Sequence, residues 1–183
     1  MPQGLQIYTS QHSPGPAYRQ AWRVWAVTVA VTLAWILLIV APPLLHASSA
    51  NGLADNIFGF FGYICHQIPD RSFQMLGNQV AVCSRCFGVY FGLAAGIAAY
   101  PLWRRIDDIE PLPRLWLFAS MVPIGIDWSL TIFGIWENTH LSRFVTGAIL
   151  GFACATYILP ALVEIIRLRS SAHDRPLRSG GAG

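Results

Sequence analysis

Four long apolar stretches constrain the fold of this chain more than any other feature. They cover residues 22–45, 80–103, 115–136 and 144–166. A helix needs about 20 consecutive apolar residues to cross a bilayer, and each stretch reaches that length. The sequence therefore predicts an all-α, polytopic membrane protein whose four transmembrane helices lie within residues 21–167 and contact the lipid bilayer.

The composition supports the same class. Charged residues make up 11% of the chain, whereas soluble domains contain about a quarter, and the mean hydropathy is +0.47. The net charge of +3 is too small to indicate a nucleic-acid surface, so no nucleic-acid partner is expected. Four cysteines are too few for a disulfide scaffold. They could be metal ligands, a redox pair or packing residues.

The segments between and outside the spans are polar. Residues 1–20 and 168–183 are predicted to be flexible tails, the second of them basic. Pro42 and Pro43 are predicted to end the first span. A loop at 46–79 follows, and its aromatic run NIFGFFGYI is too short to span, so we expect a short interfacial or re-entrant segment there. A signal peptide is the competing interpretation of the first stretch, but the apolar run is longer than the apolar segment of a signal peptide, which usually has about 7–15 residues.

The arginines predict the orientation, because cytoplasmic segments are enriched in basic residues. The chain has no lysine. Only Arg71, Arg85 and Arg143 fall on one side. The other nine, on the opposite side, are Arg19, Arg23, Arg104, Arg105, Arg114, Arg167, Arg169, Arg175 and Arg178. We therefore expect a protein of the cell (inner) membrane with both termini cytoplasmic, and with the 46–79 loop and the 137–143 turn outside.

Candidate metal ligands lie on that outer face. Cys83 and Cys86 are spaced i, i+3 at the start of the second helix and would share a face. The helix N-terminus and Arg85 would favour their thiolates. Cys65 and His66 in the preceding loop complete a pattern that could form a Cys₃His zinc site. Adjacent residues rarely both point at one metal, so the fourth ligand could be His66 or the more distant His140. The structural alternative is a pair of small packing residues.

Asp127 is an ionisable residue predicted about nine residues, ~13 Å, inside the outer end of the third helix. At that depth an unpaired charge costs several kcal/mol, so the position marks a functional candidate. Its expected partner is Arg85 or Arg143, whether its role is functional or purely structural. Nearby, Glu137 and His140 have the spacing of a helical metal pair. A solvated turn with Asn138 or Thr139 capping the fourth helix is the alternative.

Glycines at four-residue spacing predict close packing of the second and fourth helices. They are Gly88, Gly92 and Gly96 on the second helix, and Gly147 and Gly151 on the fourth. Arg85 and Arg143 project from these faces near the outer surface. Two cations facing one interface need an anion, which Asp127, Glu137 or an anionic ligand could supply. Cys154 lies in mid-span and is expected to be a packing residue.

The run CHQIPDRSF followed by CSRCFGVYFG resembles a prokaryotic membrane-protein family catalogued as domain of unknown function 2085. A later part, from Pro123 and Asp127 to the Glu137–Arg143 turn and Thr146-Gly147, resembles the same family. Trp128 departs from the glycine expected after the aspartate. The resemblance covers residues 60–152 and implies no activity. It implies that one site contains Cys65, His66, Gln67, Arg71, Ser72, Cys83, Arg85, Cys86, Tyr90, Asp127 and Arg143.

Three functions fit these observations. The leading hypothesis is a metal site, with zinc bound by Cys65, His66, Cys83 and Cys86. The second is a membrane thiol–disulfide oxidoreductase that uses Cys83 and Cys86, with quinone as its cofactor and Asp127 as a further catalytic candidate. The third is a non-catalytic accessory subunit of a larger membrane complex, in which the cysteines form a structural staple. The sequence leaves open whether the protein is an enzyme.

Overall fold

Five helices and one short hairpin make up the described part of the chain. The computed structural model describes residues 15–106, 108, 110 and 112–173. In chain order its elements are α1 (Pro16–Ala47), α2 (Asn51–Gly62), β1 (Gln74–Met75), β2 (Asn78–Gln79), α3 (Ser84–Ala99), α4 (Leu115–Ile132) and α5 (His140–His173). Single 3₁₀ turns lie at Pro69–Arg71 and Tyr100–Leu102.

Four of these helices, α1, α3, α4 and α5, are long and apolar enough to cross a membrane. Many of their apolar side chains face outward; Leu37 is 70% exposed and Phe118 is 64% exposed. Such surfaces suit contact with bilayer lipid rather than water. The prediction of an all-α polytopic membrane protein is confirmed. The helix α2, with 12 residues, is shorter than the roughly 20 needed to span.

The most extensive packing in the molecule joins α3 to α5. A Cβ added at Gly92 would lie 2.7 Å from the carbonyl carbon of Ala148, and one added at Gly151 would lie 2.8 Å from the Leu93 nitrogen. The two backbones therefore touch, and only glycine leaves room for this approach. The predicted close packing of these two helices is confirmed.

The predicted ends of the first span are wrong. The helix α1 begins at Pro16, so residues 16–20 of the predicted flexible tail are helical. Proline suits the first helical turn, where its missing N–H would have no partner anyway. The helix also continues to Ala47 through Pro42 and Pro43, which lie buried inside it.

Tertiary hydrogen bonding compensates for the interruption that Pro43 makes in α1. Pro43 has no N–H to donate to the carbonyl of Ile39, four residues earlier. The backbone N–H of Ala81, in the segment that precedes α3, donates to that carbonyl at 3.0 Å instead. The freed acceptor is thus satisfied, as a buried carbonyl requires. This bond also ties the approach to α3 directly to α1.

The other span boundaries also differ from the prediction. The third span ends at Ile132 rather than 136, because Gly134 adopts a φ of 67°. The N–H groups of Gly134 and Ile135 donate to Thr131 and Leu130, which forms a Schellman helix end. Asp127 therefore lies about five residues, ~7.5 Å, from the helix end, not ~13 Å.

The second span begins at Ser84 rather than 80, and the fourth runs from His140 to His173. Residues 168–173 of the predicted second tail are consequently helical. The remaining parts of the predicted tails, 1–14 and 174–183 with Arg175 and Arg178, lie outside the described residues.

The two ends of the bundle differ in character. At one end the start of α1 meets the end of α5, where Gln20 Nε2 donates to Ser170 Oγ at 2.6 Å. The Trp25 indole N–H also donates to the carbonyl of Ile97 near the end of α3. The start of α3 and the start of α5 therefore lie at the opposite end, which we call the cysteine end.

Candidate metal centre and arginine-lined cavity

The candidate site is built around the first turn of α3. Cys83 is the N-cap residue, with an extended backbone (φ −65°, ψ 158°), and Cys86 is the third residue of the helix. The two cysteines therefore do not share a helical face as predicted. They approach each other across the N-terminus of α3, where the helix dipole favours negative charge.

Cys65 reaches the same place from the end of α2. It is buried in an apolar cluster with Ile39, Phe61, Ala81 and Val82. Its backbone N–H donates to the carbonyl of Phe61 at 2.9 Å, which continues the last turn of α2. Burial against both α1 and the segment preceding α3 fixes the position of its sulfur.

Hydrogen bonds of Gln67 join the loop that follows α2 to the segment that precedes α3. The Gln67 Nε2 donates to the carbonyl oxygens of Phe58 at 2.7 Å and Ala81 at 2.8 Å. The backbone carbonyl of Gln67 accepts a hydrogen bond from Gln79 Nε2, which also donates to the buried Ser72 hydroxyl. These bonds hold Cys65 beside Cys83. The resemblance included Gln67 and Ser72 in the site, and the structure gives them this supporting position; Gln79 was not foreseen.

Three sulfurs converge at this point. The Sγ atoms of Cys65, Cys83 and Cys86 all lie within 4.8 Å of one another. The backbone N–H of Cys83 donates to the sulfur of Cys65 at 3.2 Å. Within residues 15–106, 108, 110 and 112–173, no other group of three or more Cys, His, Asp or Glu side chains brings its ligand atoms this close.

Hydrogen bonding makes Cys83 more acidic than an ordinary thiol. It lies just outside the membrane-spanning part of α3. Hydrogen bonds with the Cys86 side chain, and with the backbone N–H groups of Cys86 and Arg85, lower the pKa of Cys83, although its partial burial acts in the opposite direction. The first turn of α3 thus favours a thiolate at this position.

Neither candidate histidine belongs to the sulfur cluster. His66 is exposed and lines a cavity beside it, whereas its neighbour Cys65 is buried. The ring of His140 packs against Phe73, with 5.7 Å between the ring centroids. Adjacent residues on an irregular loop project in different directions, which explains the separation of Cys65 from His66.

Glu137 and His140 do not form a pair on one helix. Glu137 is exposed and precedes α5, which begins at His140. The hydroxyl of Thr139 accepts a hydrogen bond from the Ser142 N–H at 3.1 Å. Thr139 therefore caps α5, so the structure favours the capping alternative.

Arg85 joins α3 to α4 through Asp127. The guanidinium Nη2 lies 2.5 Å from Asp127 Oδ2, and the aspartate is only 8% exposed. Asn138 Nδ2 donates to the same oxygen at 3.0 Å. Since α4 otherwise packs mainly on α5, this ion pair is one of its few links to α3. The sequence named Asn138 only as a possible cap, and no local pattern pointed to this bond.

A cavity of about 440 Å³ lies beside the sulfurs. All three clustered cysteines line it, together with Arg71, Arg85 and Arg143 from three different parts of the chain. Tyr90, which the resemblance also placed in the site, packs on Trp35 next to the apolar cluster around Cys65. The structure therefore brings the cysteines, the three arginines and Asp127 to one end of the bundle.

The chain matches a family model described as "Predicted membrane protein (DUF2085)" over residues 65–157. An uncharacterized protein of Methanocaldococcus jannaschii, MJ1492, is 39% identical over 111 residues, which cover 60% of this chain and 70% of the relative. An uncharacterized protein of Methanothermobacter thermautotrophicus is 34% identical over 107 residues, which cover 56% of this chain and 93% of the relative. No solved structure matches the chain. The family match begins at Cys65 and contains all three clustered cysteines.

Proposed function

We propose that this chain, which belongs to the DUF2085 family of predicted membrane proteins, binds a zinc ion through the thiolates of Cys65, Cys83 and Cys86. The observation that carries the proposal is the approach of three sulfurs to within 4.8 Å of one another. A tetrahedral zinc ion with Zn–S bonds of about 2.3 Å separates its sulfurs by about 3.8 Å. Shifts of no more than about 1 Å would complete that geometry.

The surroundings of the sulfurs suit metal-bound thiolates. Thiolate ligands select soft or borderline metals such as zinc over magnesium or calcium. The N–H of Cys83, which donates to the sulfur of Cys65, would stabilise its negative charge and fix its orientation. The N-terminus of α3 adds a favourable field.

The fourth coordination position would be open or filled by a side chain that moves. Structural zinc sites have four protein ligands, whereas catalytic sites have three and leave one position for water or substrate. His66 lines the adjoining cavity and is exposed, so it is the nearer alternative ligand, ahead of His140. Since the described residues place three sulfurs and no fourth ligand side chain in the cluster, we favour an open position that faces the cavity.

We also propose that the protein lies in the cell (inner) membrane, where the arginine distribution supports an orientation with both termini cytoplasmic. Along the described residues, the start of α1 and the end of α5 share the bundle end opposite the cysteines. The basic side chains Arg19, Arg23, Arg167 and Arg169 belong to those two segments. The proposed metal centre then lies at the outer face.

Metal analysis of the purified full-length chain tests the proposal. Protein prepared in detergent under reducing conditions is expected to contain about one zinc ion per chain by mass spectrometry, as a three-thiolate site requires. Cys65→Ser should remove the zinc. Cys154→Ser is the matched control, since this fourth cysteine lies outside the cluster on α5. Wild-type protein without stoichiometric zinc, or full zinc in Cys65→Ser, would overturn the proposal.

Two further measurements separate the alternative functions. A Cys83–Cys86 disulfide that forms and is reduced in cells, detected by differential alkylation, would favour a thiol–disulfide oxidoreductase with quinone as its oxidant. A stable partner that co-purifies with the zinc-free chain would favour an accessory subunit of a larger membrane complex.

A further inference from the structure

The cavity beside the sulfurs has the size of a ligand site. Its volume of about 440 Å³ lies within the range of roughly 300–1,000 Å³ that is typical for small-molecule pockets. Three guanidinium groups and three sulfurs line it, together with the polar side chains of His66, Gln67, Thr131 and Asn138. The chemistry of the arginines therefore decides which ligand would fit.

Among the residues that the structure describes, two of the three arginines have no carboxylate within ion-pair distance. Arg85 pairs with Asp127. Among the described side chains, no carboxylate oxygen lies within 4.0 Å of the guanidinium nitrogens of Arg71 or Arg143. Two exposed acids, Asp70 and Glu137, line an adjoining cavity that Arg71 and Arg143 also line, but neither acid comes within ion-pair distance of them.

The charges of the cavity do not cancel even when the proposed metal is included. Three guanidiniums contribute three positive charges. Asp127 contributes one negative charge, and a zinc ion bound by three thiolates contributes another. Counted over the groups that line this cavity and over Asp127, the partner of Arg85, one positive charge remains. In addition, the Nε of Arg85 is buried and has no hydrogen-bond partner among the described residues, which leaves one more donor at the cavity wall.

The backbone holds both unpaired arginines in place. The carbonyl of Arg71 accepts a hydrogen bond from the buried Ser84 hydroxyl at 3.0 Å, which ties the loop to the first residue of α3. Arg143 lies in the first turns of α5, and one turn later Gly147 packs directly against the backbone of Arg85. Both side chains therefore leave fixed backbone positions on separate elements, and both line the cavity.

We infer that this cavity binds a ligand through an anionic phosphate group held by Arg71 and Arg143. A carboxylate offers two oxygens, which one guanidinium fork can satisfy, whereas a phosphate group offers enough oxygens for two forks from different sides. The inference deepens the proposed function, and it rests on that function only in one respect: the bound phosphate would lie beside the open position of the metal.

The phosphate can belong to a soluble molecule or to a lipid headgroup, since the site lies at a membrane end of the bundle. Two binding measurements distinguish these sources. Titration of inorganic phosphate into zinc-loaded full-length protein in detergent, followed by calorimetry, tests the soluble source. Retention of phosphatidic acid by protein taken from phosphatidylcholine vesicles with or without that lipid, followed by native mass spectrometry, tests the headgroup.

Arg71→Gln and Arg143→Gln are each expected to weaken binding about 10- to 100-fold, the loss typical of a charge-assisted hydrogen bond. Neither side chain makes an ion pair in the described structure, so both variants should fold. Arg169→Gln, which removes one exposed arginine from the opposite end of α5, is the matched control and should bind as the wild type does. Failure of wild-type protein to bind either phosphate source, or equal binding by Arg71→Gln, Arg143→Gln and the control, would overturn the inference.

Zinc content measured on the same samples keeps the two proposals separate. Loss of phosphate binding with full zinc content in the arginine variants supports the inference independently of the metal's role. Zinc-free wild-type protein that still binds phosphate through Arg71 and Arg143 would overturn the metal centre and leave the anion site intact.

Discussion

Replacement of Gly92 by alanine tests whether direct contact between α3 and α5 holds the site together. The added methyl group would lie 2.7 Å from the carbonyl carbon of Ala148, and it would meet backbone rather than a flexible side chain. Carbon atoms prefer separations of about 3.5–4.0 Å, so the helices would have to move apart by about 1 Å. Overpacking of this kind typically costs about 1–3 kcal/mol.

The direction of the stability change decides the outcome of this test. Alanine gains about 0.5–1 kcal/mol over glycine in a helix interior, so steric overlap must outweigh this gain for Gly92→Ala to destabilise. Gly125→Ala in α4 is the matched control, because among the described residues no atom from beyond the adjoining backbone of α4 lies within 4 Å of its added Cβ. The same change of residue should therefore stabilise the protein at one glycine and destabilise it at the other.

Thermal unfolding in one detergent, followed by tryptophan fluorescence, measures both variants. We expect Gly92→Ala to unfold at a lower temperature than the wild type, and Gly125→Ala to unfold at the same or a higher temperature. An unfolding temperature of Gly92→Ala at or above that of the wild type would refute the backbone contact. It would also remove the physical basis for placing Arg85 and Arg143 at fixed positions.

Two further predictions concern the links of α4 and α5. Asp127→Asn should destabilise the protein by about 1–3 kcal/mol, measured by denaturant unfolding. This is below the 3–5 kcal/mol typical of a fully buried pair, because the Arg85 side chain is a quarter exposed. An equal effect of Asp70→Asn, which alters an exposed carboxylate, would contradict this prediction. Thr139→Ala should lower the free energy of unfolding by about 1 kcal/mol through loss of the N-cap of α5. Thr139→Ser is the control, because it retains a hydroxyl that can accept the Ser142 N–H. Identical thermal stability of the two variants would exclude the capping role.

The number of spans was predictable because hydropathy is a local property of the sequence. The ends of the spans were less predictable, since tertiary bonds decide some of them. The helix α1 continues past Pro43 with the help of Ala81, nearly forty residues later, whose N–H satisfies the carbonyl of Ile39. No local pattern contains that information. Gly134, by contrast, was an available signal for the end of α4, because glycine commonly follows the last helical residue.

The candidate site divides in the same way. The spacing of Cys83 and Cys86 suggested a shared ligand set, yet their approach across the N-cap depends on the non-helical chain at residues 80–83. The position of Cys65 depends on the hydrogen bonds of Gln67. The φ of Gln67, 47°, is uncommon for a residue other than glycine. Such a conformation persists only where surrounding bonds enforce it. The sequence could name these residues without predicting how the loop folds.

The cavity lies between two parts of the bundle, and one part is joined to the rest of the protein by more contacts than the other. The cysteines belong to a wall in which α1, α2 and the start of α3 share an apolar cluster and the bonds of Gln67. The facing wall is α4, which contributes Asp127 and is joined to α3 chiefly through Arg85. A metal bound only by the first wall would keep its ligands when α4 moves. The anionic ligand we infer, by contrast, would be held by arginines from the loop and from α5, which is locked to α3 by glycine contacts. Movement of α4 would therefore change access to the cavity more than the geometry of either proposed binding group.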